Sequence, residues 1–121
     1  MLRKTTRPTN DFELYSWLFM RISGALLIVM AMIHLAFVHY VYGVEKINFS
    51  MVAARWANPT WRTFDFVLLS VALLHGGNGM RTLIDDYIHS KGLRTLALSS
   101  LYTLGFLVLV FGGLIMLTFK A

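Results

Sequence analysis

The sequence predicts an all-α membrane protein with three transmembrane helices. Apolar residues make up 57% of its 121 residues and charged residues only 14%, whereas soluble proteins average about 25% charged residues. A chain this short cannot bury so much apolar surface in a core of its own. Three long stretches also lack charge, and a segment in lipid must satisfy its backbone hydrogen bonds internally, as a helix does.

Composition also narrows the chemistry and the partners of the chain. There is no cysteine, so the chain itself offers no disulfide, thiolate metal site or iron–sulfur ligand. The net charge of +5 comes from Lys and Arg residues scattered around the apolar runs. They form no stripe, so we interpret them as membrane-edge charges and expect no nucleic-acid partner.

The first span is predicted over residues 17–42, after a polar inner segment, residues 1–16. Residues 22–44 carry no charge, and these 23 positions exceed the roughly 20 that span the hydrocarbon core. Trp17 at one end and Tyr40 and Tyr42 at the other are typical of an aromatic belt. A signal peptide is disfavoured because the apolar run is too long and no small-residue cleavage site ends it.

The connector, residues 43–63, is predicted to be either a short interfacial helix or a plain loop. Apolar side chains recur at amphipathic spacing at Phe49, Val52, Ala53 and Trp56. Asn58-Pro59 then stops any helix.

The second and third spans are predicted over residues 64–84 and 95–119, joined by an inner turn over residues 85–94. The uncharged centre of the second span, residues 66–80, is short, so we expect Asp65 and Arg81 to snorkel to the interfaces. The third span is uncharged for all of its 25 positions. Positive charge favours one side of the membrane by seven residues to four, which puts the N-terminus and this turn inside. The inner residues are Arg3, Lys4, Arg7, Arg21, Arg81, Lys91 and Arg94, and the outer ones are Lys46, Arg55, Arg62 and Lys120.

Two histidines lie within the spans, His34 in the first and His75 in the second. Polar residues at membrane depth usually face the bundle interior and serve a function. We predict that His75 ligates a haem. His34 is either a second haem ligand or a core histidine bonded to a neighbouring helix, whereas interfacial water can satisfy His39.

Depth along the helices separates the two histidines. At about 1.5 Å per residue, His75 lies roughly 13 Å from the inner edge at Ile84, and His34 roughly 20 Å from that edge at Arg21. They are therefore poorly placed to share one haem, and each needs a partner histidine from another chain.

Four further side chains lie at the inner edge. Arg21 and Arg81 either bind haem propionates, which suit arginine, or anchor the helices at the interface. Tyr87 can donate a hydrogen bond to a quinone, with Asp86 beside it as an orienting or proton-relaying carboxylate. The alternative for Asp86 and Tyr87 is an ordinary helix end in the headgroup region.

The spacing His75-x3-Gly79-x6-Asp86-Tyr87, at the inner end of a middle helix, resembles the small hydrophobic membrane-anchor subunits of succinate dehydrogenase (respiratory complex II), D-subunit type. Residues 17–24 (Trp-Leu-Phe-Met-Arg-Ile-Ser-Gly) and residues 55–61 (Arg-Trp-Ala-Asn-Pro-Thr-Trp) fit as well. The resemblance covers nearly the whole chain from Leu14 onward.

This resemblance implies half of a haem-binding anchor bundle, completed by a sister anchor subunit of C type. It implies that His75 ligates haem b with a histidine of the sister subunit, and that His34 matches the second ligand of relatives with two haems. It also implies that Tyr87 hydrogen-bonds the quinone, ubiquinone or menaquinone, with Asp86 beside that pocket.

The resemblance further implies that the anchor pair docks an iron–sulfur subunit and a flavoprotein subunit. The chain is then part of an oxidoreductase but performs no succinate chemistry itself. We expect it in a bacterial or archaeal plasma membrane, or the mitochondrial inner membrane, with the N-terminus on the cytoplasmic or matrix side. The alternatives are the anchor of a quinol:fumarate reductase, a haem anchor of another respiratory dehydrogenase, and a non-redox helical scaffold or small transporter.

Overall fold

A computed structural model describes residues 11–120, which form four α-helices connected by short turns. The helices are α1 (Asp11–Ala36), α2 (Phe49–Ala57), α3 (Pro59–Tyr87) and α4 (Lys91–Thr118). A π-helical segment (Phe37–Tyr42) continues α1, and one 3-10 turn (Val44–Lys46) precedes α2. Arg3, Lys4 and Arg7, which supply part of the predicted inner charge, lie outside the described residues.

Three of these helical segments have the length and composition to cross a membrane: Asp11–Tyr42, Pro59–Tyr87 and Lys91–Thr118. Their 32, 29 and 28 residues correspond to roughly 42–48 Å of helix. That matches a bilayer with its headgroup regions, about 40–45 Å, rather than the hydrocarbon core alone. The helices therefore extend beyond the predicted spans, because charged residues at headgroup depth can remain helical.

The connector between the first two spans contains a helix, α2, rather than the plain loop that the sequence also allowed. Asn48 caps it by accepting a hydrogen bond from the Met51 amide at 2.9 Å. Asn58 ends α2 and begins α3, where its side chain accepts from the Thr60 amide at 2.9 Å and Pro59 occupies the first turn. The positive φ of Gly43, 78°, turns the chain out of the π-helical segment.

The turn between α3 and α4 is shorter than the predicted segment, residues 85–94. Only residues 88–90 lie outside the helices. Asp85 stays helical and faces Arg81 at 3.5 Å, one turn earlier, and Arg94 of α4 at 3.9 Å. The charged residues had predicted a turn over this whole segment. Instead, the opposite charges face one another at the ends of two helices.

Helix α3 is the central element, since it packs against both α1 and α4. Glycines of α4 allow this close approach: a Cβ atom built at Gly112 would lie 2.6 Å from Leu69 Cδ2, and one at Gly113 would lie 3.2 Å from Phe66 Cε2. Among the described residues, Met30 and Ala53 are the only buried apolar side chains. The remaining apolar surface faces outward, as lipid or a partner helix requires.

Candidate functional site

His75 lies in the middle of α3 and faces α1. Its Nδ1 atom lies 2.8 Å from the hydroxyl oxygen of Ser23, and Ser23 is only 3% exposed. The neighbouring Gly24 is also close, because a Cβ atom built there would lie 3.3 Å from His75 Cε1. Within residues 11–120, His75 Nε2 has no hydrogen-bond partner, so this nitrogen is free to bind a metal.

His34 lies near the C-terminal end of α1, beside the buried carboxylate of Asp65. Its Nδ1 atom is 3.2 Å from Asp65 Oδ1 on α3. Asp65 also forms an ion pair with Arg55 of α2 and accepts a hydrogen bond from Trp56 Nε1 at 2.8 Å. His34 is thus bonded to a neighbouring helix, which was one of its two interpretations. The bond leaves Nε2 available, so it is also compatible with ligation.

The position of Asp65 near the end of a span had predicted that its side chain would snorkel to the interface. Its side chain is instead buried against other parts of the chain. Asp65 and Arg55 are each only 7% exposed, because α2 packs against the N-terminal part of α3 and against Phe119, which follows α4. Burial lowers the pKa of Arg55 from its ordinary value, so its guanidinium benefits from a carboxylate beside it. Sequence reasoning missed this pair because Arg55 and Asp65 belong to different elements.

The two histidines are farther apart in depth than the sequence suggested. Ser23 is level with His75, and Asp65 is level with His34. Ten or eleven helical residues separate these two levels, or about 15 Å, whereas the sequence predicted a difference of about 6 Å or more. Arg21 and Ile84 do not lie at one depth, because Ile84 is nine residues from the level of His75 and Ser23, whereas Arg21 is only two residues from it. The two histidines therefore belong to separate sites.

The arginines at the inner edge already have contacts within the chain. The Arg21 guanidinium lies 4.1 Å from the centre of the Trp17 ring, a cation–π distance. Arg81 Nε donates to Asn78 Oδ1 at 3.1 Å, and the Asn78 amide donates to Ser16 at 3.0 Å. This polar link joins α1 to α3 and had no counterpart in the sequence-based set of site residues.

Asp86 and Tyr87 lie in the last turn of α3, and both are exposed. Tyr87 is 78% exposed, and in the described part of the chain neither side chain makes a hydrogen bond or ion pair. Twelve helical residues place Tyr87 about 18 Å from His75 along α3. The fold therefore presents Asp86 and Tyr87 at a helix end, apart from His75, with their polar atoms available to an external group.

An open groove of about 930 Å³ runs between α1, α3 and α4. Its lining is almost wholly apolar and includes Phe12, Phe19, Gly77, Gly105 and Leu109. Such a surface suits hydrocarbon and offers few ligands to a polar solute.

Comparison with known proteins agrees with this architecture. Residues 3–115 match the family model of the succinate dehydrogenase/fumarate reductase transmembrane subunit. The chain is also similar to a protein of Archaeoglobus fulgidus described as a succinate dehydrogenase hydrophobic membrane anchor subunit. The two are 31% identical over 106 residues, which cover 87% of this chain and 88% of the relative.

Proposed function

This chain belongs to the family of succinate dehydrogenase/fumarate reductase transmembrane subunits, and from that membership we propose that it helps to bind haem b and a quinone. It is a multi-pass membrane anchor subunit with three membrane-spanning helices. The resemblance seen in the sequence is thereby confirmed at the level of the family.

The haem site is proposed at His75, and the 2.8 Å contact between His75 Nδ1 and the Ser23 hydroxyl supports this assignment. Metal-bound histidines almost always use their second ring nitrogen in such a bond, which orients the ring. His75 Nε2 then faces away from Ser23 and can bind iron. The other histidine within the spans, His34, contacts α3 ten residues away from His75, about 15 Å in depth, so the second ligand would come from a sister anchor subunit.

A second haem is proposed at His34, on the other level of the bundle. Its Nδ1 atom is held by Asp65, which again leaves Nε2 for a metal. When bound, haem b supplies one-electron transfer. At the inner edge, Arg21 and Arg81 are proposed to face the propionates, since arginine suits carboxylates.

The quinone is proposed to bind at the inner end of α3. The Tyr87 hydroxyl can donate a hydrogen bond to a quinone carbonyl, and Asp86 can orient a neighbouring group or relay a proton. The availability of both side chains supports this role. The same residues serve ubiquinone or menaquinone, and either succinate oxidation or fumarate reduction.

The partners are proposed to be a C-type sister anchor, an iron–sulfur subunit and a flavoprotein subunit. Exposed apolar faces on α1, α3 and α4 provide surface for the sister helices as well as lipid. The excess of positive charge on one side supports an orientation with the N-terminus and the α3–α4 turn inside the cell or organelle.

The test is a reduced-minus-oxidised absorbance spectrum of the intact complex, purified in mild detergent through a tag on this chain, with haem counted per copy. We expect a b-type spectrum with two haems, of which His75→Ala and His34→Ala each remove one. His39→Ala is the matched control, because His39 Nδ1 bonds only to the Leu35 carbonyl of its own helix at 3.0 Å. A single haem lost only in His75→Ala would overturn the second site, and a colourless complex would overturn both.

A further inference from the structure

Ser23, like Ser16, has a hydrogen-bond partner on another helix, whereas several hydroxyl side chains of the membrane helices bond within their own helix. Ser70, Thr95 and Thr118 each donate to the carbonyl four residues earlier in their own helix, at 2.6–2.9 Å. That local bond is how a hydroxyl is usually satisfied in lipid. Ser23 instead lies 3.4 Å from its local carbonyl, on Met20, and makes its short contact with His75 of another helix.

These two contacts fit together in one tautomer of His75, the one with its proton on Nδ1. A hydroxyl has one hydrogen to donate and lone pairs with which to accept. When the Ser23 hydrogen points to the Met20 carbonyl, 3.4 Å away, the Ser23 oxygen is left to accept a hydrogen bond. The Ser23 oxygen then accepts from His75 Nδ1–H at 2.8 Å. A neutral imidazole with its proton on Nδ1 carries its free lone pair on Nε2, the form that can bind a metal.

Gly24, the residue after Ser23, restricts the position of the His75 ring from a second side. A Cβ atom at this position would lie 3.3 Å from His75 Cε1, closer than most such contacts. Without that atom, the backbone of α1 comes against the edge of the imidazole ring. The ring is therefore held at Nδ1 by a hydrogen bond and at Cε1 by a close backbone, and α1 controls the orientation of a side chain that belongs to α3.

We propose that Ser23 and Gly24 are positioning residues for His75, which hold its imidazole in the Nδ1–H tautomer and in a fixed plane so that Nε2 is presented to the haem iron. This inference rests on the haem role proposed above and assigns a task to two residues that contact no haem themselves. Its physical basis is that the second partner of a ligating histidine sets tautomer, orientation and basicity, and its loss typically costs 10–100-fold in affinity.

The experiment uses the intact complex, purified in mild detergent, in a His34→Ala background so that the His75 haem is observed alone. Haem affinity is measured by competition with excess apomyoglobin, and the ligand field is measured by electron paramagnetic resonance of the oxidised haem. Ser23→Ala should weaken haem retention about 10–100-fold and shift the resonance. Ser23→Thr keeps the hydroxyl and should restore both. The matched control, Ser70→Ala, removes a hydroxyl that bonds within α3 and should change neither.

Gly24→Ala provides a second variant that does not depend on the stability of Ser23→Ala. Its added methyl group should tilt the ring and shift the resonance while the far-ultraviolet circular dichroism stays that of the wild type. Wild-type haem retention and resonance in both Ser23→Ala and Gly24→Ala would overturn the positioning role alone. A parent His34→Ala complex without haem would instead overturn the proposed haem site at His75, and this inference with it.

Discussion

Replacing Asp65 by alanine should destabilise the chain strongly, because it leaves a buried guanidinium without its counter-charge. Asp65 and Arg55 form an ion pair in which each residue is 7% exposed. Asp65 also accepts a hydrogen bond from Trp56 Nε1 at 2.8 Å and lies 3.2 Å from His34 Nδ1. Removing one partner of a buried ion pair costs about 3–5 kcal/mol. This corresponds to a factor of roughly 10²–10⁴ in the unfolding equilibrium constant.

The measurement is reversible unfolding in mild detergent with increasing sodium dodecyl sulfate, followed by far-ultraviolet circular dichroism and by tryptophan fluorescence. The matched control is Asp85→Asn on the same helix. Asp85 is 38% exposed and lies 3.5 Å from Arg81 and 3.9 Å from Arg94. An exposed pair of this kind contributes under about 1 kcal/mol, so the control should unfold almost as the wild type does.

A double-mutant cycle separates the ion pair from the packing of the side chains. Asp65→Ala and Arg55→Ala should each be strongly destabilising, and the double variant should cost much less than their sum, because it leaves no unpaired charge. The reasoning would be refuted if Asp65→Ala unfolded like Asp85→Asn, or if the two single effects simply added. Either result would mean that water reaches the pair and screens it.

Three further predictions concern the helix interface, the quinone site and the topology. Gly112→Val should lower the free energy of unfolding by about 1–3 kcal/mol, because even a Cβ atom there would lie 2.6 Å from Leu69 Cδ2. The same titration measures the loss. The control is Gly92→Val, at a position open to added atoms, which would show the same loss only if helix propensity were the cause. Tyr87→Phe should slow quinone reduction while haem content stays that of the wild type, since this exposed hydroxyl has no partner in the described chain. Loss of haem in this variant would contradict the separation of the proposed quinone and haem sites. Ser90→Cys, in a chain without native cysteine, should react with an impermeant maleimide only in inside-out vesicles, and labelling from the outside would reverse the proposed orientation.

The three spans could be predicted from local composition. Residues 22–44 and 95–119 lack charge over more than the thickness of the hydrocarbon core, and a backbone in lipid has to form its hydrogen bonds within the segment. No information from distant residues is needed for that conclusion. The family resemblance was equally accessible, because its motifs are short and contiguous.

The surroundings of the candidate site residues could not be predicted in this way. Ser23 was not among the predicted site residues, and Asp65 was predicted to lie at the interface. Their roles depend on which helix faces them, and on the level at which it does so, and nothing in either local sequence specifies this. The difference in depth between His34 and His75 could be given only as a lower value from the sequence, since helices that share an interface need not begin at one plane.

Composition and periodicity are enough to choose helices and a membrane environment for this chain, because hydrophobic burial and backbone hydrogen bonding are summed along each segment separately. Only the packed fold sets His75 against Ser23, and His34 and Arg55 against Asp65. The histidine contacts join residues 52 and 31 positions apart. The ion pair joins α3 to α2, which packs against it. Hydrogen bonds and ion pairs depend on distances of a few ångströms, and such distances between separate helices exist only once the helices have packed.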